Sequence, residues 1–264
     1  MFYARLLDRA VPRFRKTALR NLELAFPGRP SEERARIADG VFRSIGRIIY
    51  AFARMPRINA SNVHEGIRYE GLENYLEAKR QGRGVLVATG HLGNWELSAF
   101  THAIMTEPMN VVVRPLDNPR LDAFVEARRQ LTGNKIIGKR DAPRAILRAL
   151  RNNEAVGILV DQNTSLQEGA FVNFFGVPAS TGTAFVRFAA RTGAVVIPGF
   201  ALWSEGEQRY VLNFYKPVPM TGDFVEDTQR LHSRLEEIIR EHPDQWLWIH
   251  RRWKTRPSGE PPIY

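Results

Sequence analysis

Short apolar runs alternate with amphipathic stretches along most of the chain. Val85-Leu86-Val87-Ala88 has the length and branching of a buried strand. Asn110–Val113 and Ala155–Val160 read the same way, as does Ala194–Trp203, which Pro198-Gly199 interrupts. Val63–Tyr69 and Tyr210–Tyr215 complete the predicted strands. Between them the apolar positions recur at helical spacing. Leu72–Lys79 is a short helix, and Asn94 caps another that runs from Trp95 through Phe100. Asn118 and Pro119 start a third as N-cap and first residue, with Leu121, Phe124, Val125 and Leu131 along one side. Asp141 opens a fourth with Ile146, Leu147 and Leu150 aligned; Gly182–Thr192 and Asp223–Glu241 follow, the latter with Leu231, Leu235, Ile238 and Ile239 on one face. Strands alternating with helices predict a single α/β domain, with no internal repeat, low-complexity tract or linker.

Two helices precede that alternation. Residues 1–26 are basic, with Phe2, Leu6 and Leu7 as an apolar side and Arg13, Arg15, Lys16 and Arg20 behind them. Pro27-Gly28-Arg29-Pro30 breaks the chain, and Ser31 caps a second helix with Glu32 and Glu33 in its first turn. Its later half, Val41–Met55, is amphipathic. At ~100° per residue, Arg43, Arg47 and Arg54 share an arc of about 40° opposite Val41, Ile45, Ile48, Ile49 and Phe52. Such a helix lies on an anionic membrane surface, or packs on the core with its arginines in water. The predicted division is residues 1–58 as a basic, amphipathic, membrane-facing helical segment, 59–257 as the α/β domain, and 258–264 as a tail.

Composition narrows the partners. The 264 residues are 44% hydrophobic, ample for a core. There is no cysteine, which removes disulfides, thiolate metal sites and a thiol nucleophile. The net charge of +10 points to anionic partners: nucleic acid, an anionic lipid surface, or an acidic protein or substrate. No apolar run approaches the ~18–20 residues needed to span a bilayer, and no secretory signal is visible.

The candidate chemistry lies where the Val85 strand hands over to the next helix. His91 sits in the loop and Glu96 in the first helical turn. Residues five apart on one helix point ~140° away from each other, so the two meet only if the backbone turns between them. Gly90 and Gly93 permit that turn. A carboxylate beside an imidazole selects its tautomer and stabilises the imidazolium, and a helix N-terminus favours developing negative charge. The spacing also recurs by chance, and a loop histidine is often structural; the end of a strand in an α/β chain favours the functional reading. Residues 161–181 form a long loop carrying Phe171, Val172, Phe174 and Phe175, a pattern that fits a lid or a lipid-facing wall. Residues 243–257 are rich in tryptophan and arginine, suited to holding lipid phosphates or stacking on RNA, or to forming a core helix with solvated arginines. No P-loop, Rossmann glycine motif, His-Glu-x-x-His or serine elbow is present, which leaves a histidine base acting on a substrate hydroxyl.

Thr-Gly-His91-Leu-Gly-Asn-Trp-Glu96 resembles the His-x4-Asp/Glu block of the glycerolipid acyltransferase superfamily, and the fuller wording resembles the bacterial late, Kdo-dependent lipid A acyltransferases. Val113-Arg114-Pro115-Leu116-Asp117-Asn118-Pro119 resembles that family's Arg-Pro and Asn-Pro block. Asp161-Gln162 followed by Phe174-Phe175-Gly176-Val177-Pro178 resembles its Asp-Gln and Phe-Phe-Gly-x-Pro blocks, and Val195–Pro198 its apolar proline block. His242-Pro243-Asp244-Gln245-Trp246-Leu247-Trp248 through Lys254 resembles its C-terminal signature. The likeness covers roughly residues 17–257.

The resemblance implies a central mixed β-sheet flanked by helices, and transfer of an acyl chain from an acyl thioester to a lipid hydroxyl. His91 would be the general base and Glu96 its orienting partner. Backbone N–H groups around Gly93 and Asn94, or Arg114, would stabilise the oxyanion; Arg114 could equally form an ion pair with Glu96 or Asp161. Asp161 would touch substrate or cap the strand end. No metal or cofactor is implied beyond the co-substrate, acyl-acyl carrier protein or acyl-CoA; the acidic carrier suits the basic chain. The acceptor would be a lipid A precursor, a phosphatidylinositol mannoside, a lysophospholipid or another glycolipid, with no nucleic acid as partner. A basic RNA-binding protein is the alternative from another class. Members of the family usually carry an N-terminal apolar anchor. Here only a short apolar start remains, so the expected place is the cytoplasmic face of the inner membrane, held peripherally or by a segment not evident in these residues.

Overall fold

A computed structural model describes Asp8, residues 11–138 and residues 142–264. Phe2, Leu6, Leu7 and Asp141 lie outside the described residues. Two helices, α1 (Pro12–Ala25) and α2 (Ser31–Arg54), lead through a short α3 (Val63–Gly66) into the sheet. Then come β1 (Ile67–Glu70), α4 (Leu72–Arg80), β2 (Val85–Thr89), α5 (Trp95–Met105), β3 (Asn110–Val113), α6 (Pro119–Gln130) and β4 (Lys135–Gly138). The rest is α7 (Ala142–Arg151), β5 (Ala155–Leu159), β6 (Gly169–Phe174), β7 (Val177–Gly182), α8 (Ala184–Thr192), β8 (Val195–Ser204), β9 (Arg209–Phe214) and α9 (Phe224–Glu241). The chain forms a single mixed α/β domain.

Its main sheet has seven strands in the order β1-β9-β8-β2-β5-β3-β4. From β8 to β4 all neighbours are parallel, so their carboxyl ends share one edge. β9 runs antiparallel to β8 and carries β1 beside it, which makes the sheet mixed. Pro198, in the middle of β8, sits where the strand changes partner: β2 pairs with Val195 to Pro198, and β9 pairs from Gly199 onward. A missing N–H is tolerated there because neither ladder needs it.

Successive residues of the central strands feed opposite cores. Val85, Val87, Val195 and Ile197 join one cluster, against Leu97 of α5 and Phe214. Leu86, Ala88, Val156 and Val196 join the other, against Ile146 and Leu150 of α7 and Phe185 of α8. A third cluster lies beyond the sheet and unites α1, α2, α9, Phe174, Phe175 and the three tryptophans Trp246, Trp248 and Trp253.

Several expectations change. Val63 opens a short helix and the strand begins at Ile67, while β4 emerges from Lys135-Ile136-Ile137-Gly138, too short and flanked too closely to stand out. The predicted loop over residues 161–181 contains the hairpin β6–β7, and its phenylalanines are core rather than lid: Phe174 and Phe175 are buried. Phe175 and Gly176 both have positive φ, 56° and 78°, as a two-residue turn between right-twisted strands requires. A phenylalanine there is strained by roughly 1–3 kcal/mol, offset by its packing on Phe26, Trp248 and Arg240.

The tryptophan-rich tail is likewise interior and irregular, not helical. Trp246, Trp248 and Trp253 are buried, which leaves them unable to stack on RNA bases and removes the feature behind the RNA-binding alternative. Arg252 is buried too, donating to the Ser180 carbonyl and the Thr181 hydroxyl across the Phe174 ring. On α2 the expected arginine face is divided: Arg47 stacks on Trp203 and pairs with Glu205, while Arg43 and Arg54 are exposed. The apolar side of α6 does not face a core: the helix has no buried residue, and Leu121, Phe124 and the following Leu131 are about half exposed.

Candidate active site

β2 and β5 are parallel neighbours with Thr89 opposite Leu159. Val160 extends the ladder by donating its N–H to the Thr89 carbonyl at 2.9 Å. Residues two places beyond each strand are therefore brought together, and these are His91 and Asp161. His91 Nδ1 lies 2.9 Å from Asp161 Oδ1, and the His91 backbone N–H donates to Oδ2 at 2.7 Å. Trp246 Nε1 donates to the same Oδ2 at 2.8 Å. Gly90 makes the approach possible, since a Cβ there would stand 3.1 Å from the Asp161 carboxylate.

Asp161, not Glu96, is thus the carboxylate that orients His91. The expected contact between His91 and Glu96 is not made, because α5 begins at Trp95 and turns Glu96 toward α6. There Arg129 grips it with two bonds, Nε to Oε2 at 2.8 Å and the second guanidinium nitrogen to Oε1. Glu96 still acts on His91 through its charge. The Asp161 hydrogen bond fixes the Nδ1–H tautomer and leaves Nε2 free as a base. Nε2 is aimed toward the Gln162 amide at 3.4 Å, and the His91 side chain keeps 18% exposure against 2% for Asp161.

Charge follows geometry. Burial works to lower the His91 pKa, but the Asp161 charge and hydrogen bond, with Glu96 behind them, raise it on balance. Burial would push Asp161 up, yet His91 and the Trp246 and backbone donors hold its carboxyl well below the usual carboxylate range. Arg252 adds positive charge nearby; burial lowers its pKa to about 10, which still leaves it cationic.

The proposed oxyanion donors Gly93 and Asn94 are already engaged. Gly93 N–H donates to the Gln245 carbonyl at 3.0 Å and Asn94 N–H to the Ala201 carbonyl at 2.8 Å. Gly93 has φ 65°, and a Cβ there would collide with the Ala201 oxygen at 2.0 Å. The Asn94 side chain caps α5 through Leu97 N–H. These two residues hold the loop against β8 and the C-terminal segment, which also donates Leu247 N–H to the His91 carbonyl. Arg114 pairs with neither Glu96 nor Asp161; it is exposed, with Asp117 3.8 Å away. Arg129 is missing from the sequence reading, and Trp246 stands there only in the C-terminal signature: nothing in their spacing links them to residues 33 or 85 positions away.

Beside His91 opens a cavity of ≈ 620 Å³, within the ~300–1,000 Å³ usual for small-molecule sites. It runs from Thr89, His91 and Trp95 past Ala99 and Val111 to Met109 and Phe214, apolar along most of its length. Arg114 and Leu116 stand at its rim, and Glu96 and Arg129 in its wall. His102 lines the inner part, kept neutral by burial at a pKa of about 4, with the Tyr69 hydroxyl hydrogen-bonded to its Nδ1 at 2.6 Å. No described helix is long and apolar enough to cross a membrane.

A paired histidine base opening on an apolar cavity suits deprotonation of a hydroxyl beside a lipid chain. Comparison with known proteins bears on the reaction class. The family model for bacterial lipid A biosynthesis acyltransferase matches residues 1–255. A lipid A biosynthesis palmitoleoyltransferase of Escherichia coli K12 is 32% identical over 252 residues, covering 94% of this chain and 81% of its own. The lauroyltransferase of the same organism is 29% identical over 98% of this chain and 85% of its own length. Its myristoyltransferase is 24% identical over 93% and 77%.

Proposed function

Because the chain belongs to the bacterial lipid A biosynthesis acyltransferase family, we propose that this acyltransferase moves a fatty acyl chain from acyl-acyl carrier protein to a hydroxyl of a lipid A precursor. The observation that carries the reading is the His91–Asp161 pair at the opening of the apolar cavity. The acyl chain lies in the cavity and its thioester carbonyl stands near His91. The acceptor hydroxyl attacks the carbonyl carbon while His91 Nε2 takes its proton, a contribution typically worth ~10²–10⁴ in rate. Asp161 holds the ring and balances the imidazolium. As the tetrahedral intermediate collapses, the C–S bond breaks and His91 returns the proton to the departing thiolate. Products are the ester and the carrier thiol.

With Gly93 and Asn94 committed elsewhere, charge on the carbonyl oxygen is met by the first-turn N–H groups of Trp95 and Glu96, at the positive end of α5. Glu96 and Arg129 neutralise each other in the cavity wall and keep α6 over it. The net charge of +10, with Arg114 exposed at the rim, favours the acidic carrier protein as donor. The site belongs at the cytoplasmic membrane surface, where the lipid acceptor resides.

The test is purified protein with acyl-carrier-protein thioesters and a panel of acceptors, read by mass spectrometry. Wild type is expected to acylate the lipid A precursor and His91→Ala to lose transfer while remaining folded. Near-normal turnover by His91→Ala would remove the histidine from this role. Acylation of only a lysophospholipid or mannoside would change the acceptor.

A further inference from the structure

Exposed apolar side chains concentrate around one place. Among the described residues, the large hydrophobic side chains left most open include Ile49 and Tyr50 near the end of α2, and Leu116, Leu121, Phe124 and Leu131 on and beside α6. The two helices meet through Phe52, which shares the Ile49 side of α2. Phe52 and Phe124 stand 6.3 Å apart, and Arg128 lies over both rings. Arg128 also donates to the Phe52 and Ala53 carbonyls at 2.9 and 3.1 Å, tying the helices together. Leu121, Phe124, Arg128 and Leu131 fall within about 80° around the α6 axis at ~100° per residue.

We propose that the α6 face carrying Leu121, Phe124 and Leu131, together with Ile49 of α2, docks on an anionic bilayer and sets the cavity mouth at its surface. Three observations select a bilayer. The apolar stripe lies on a helix with no buried residue, and Leu121, Phe124 and Leu131 are left about half open by the fold. The segments that carry the apolar residues, 49–57 and 114–131, hold Arg54, Arg57, Arg114, Arg120, Arg128 and Arg129 against Asp117, Asp122 and Glu126, so they are net positive. Leu116 belongs both to the patch and to the cavity rim, so a lipid acceptor held in the bilayer presents its hydroxyl at the entrance without leaving the surface. The face differs from the arginine side of α2, where Arg47 is bound to Trp203 and Glu205. The inference rests on the acyl-transfer reading only for what enters the cavity; docking is measured without turnover.

The experiment is sedimentation with phosphatidylglycerol–phosphatidylethanolamine vesicles at low salt. The pair Leu121→Glu with Phe124→Glu is expected to lower vesicle partition about tenfold or more, with transfer onto detergent-dispersed acceptor within about threefold of wild type. Unchanged partition overturns the proposal. Because the chain lacks cysteine, Phe124→Cys labelled with a polarity-sensitive dye gives a second readout that does not depend on the double variant folding. Its emission is expected to shift blue on vesicles, while the same label at Leu166→Cys, exposed on the loop before β6, stays unshifted. Equal response at both positions overturns it, as does a wild-type dimer that the double variant dissociates with no vesicle binding by either. Vesicle binding with no acyl transfer would sink the enzymatic reading alone. Transfer with no binding would sink this one alone.

Discussion

Two stretches of this chain are alike on paper and opposite in the fold. Residues 246–253 and residues 120–131 both mix large apolar side chains with arginines. In the first, Trp246, Trp248, Arg252 and Trp253 are wholly interior. In the second, no helical residue is buried. Composition alone therefore says little about which side of the surface an arginine–aromatic stretch occupies. What decides is whether the fold supplies polar partners. Arg252 finds the Ser180 carbonyl and Thr181 hydroxyl inside, and the Trp246 and Trp248 indoles donate to Asp161 and the Pro243 carbonyl. The arginines of α6 find only Glu96 and two carbonyls at the end of α2.

Substitutions sharpen the contrast. The largest effect is expected from Asp161→Asn, where the buried stretch meets the chemistry. Turnover should fall on the order of 10²–10⁴-fold, and its acid limb should move. His91 must be neutral to act, so in wild type turnover is lost as pH falls through a value above the ordinary ~6.5. Without the carboxylate, burial dominates and the limb shifts to lower pH. A limb unmoved in the variant would detach Asp161 from the base. The same linkage acts on stability: the His91 contribution is full below about pH 6.5 and fades as pH rises through its raised value.

Next comes Trp248→Ala. Truncating a buried tryptophan costs about 3–5 kcal/mol, measurable by urea unfolding; a cost under about 1 kcal/mol would return the tail to the surface. Glu96→Gln should be milder in turnover than Asp161→Asn, because it touches the imidazole only through its charge, yet it should loosen α6 by leaving Arg129 half-paired. Hydrogen exchange across residues 119–130 would report that, and faster exchange confined elsewhere would refute it. The smallest effect is expected from Leu121→Ala combined with Phe124→Ala. Unfolding free energy should stay within about 0.5 kcal/mol, and a loss above about 2 kcal/mol would mean that the stripe packs on protein after all.

The alternation of strands and helices was legible because each core strand is short, branched and bounded by turn residues. The histidine and the strand-end loop were legible for the same reason. Its partner was not. Glu96 is five residues away and Asp161 is seventy, and only the pairing of β2 with β5 decides between them. Gly93 and Asn94, expected to offer N–H groups to an oxyanion, donate them instead to Gln245 and Ala201, neighbours that no local pattern reveals. Phe175 escaped for another reason: a phenylalanine at positive φ contradicts turn preferences, and only the aromatic packing around it explains its place.

The pairing of residues 245–247 with the His91 loop also has a consequence in time. Chains emerge from the ribosome N-terminus first, at ~5–20 residues per second. A nascent chain that has reached Glu241 already carries the base, its acid partner and most of the greasy channel. It still lacks the Gln245 carbonyl, the Trp246 indole and the Leu247 amide that fasten the loop. The His91 loop is thus fastened only once residues 245–247 have been made, well after His91 and Asp161 themselves.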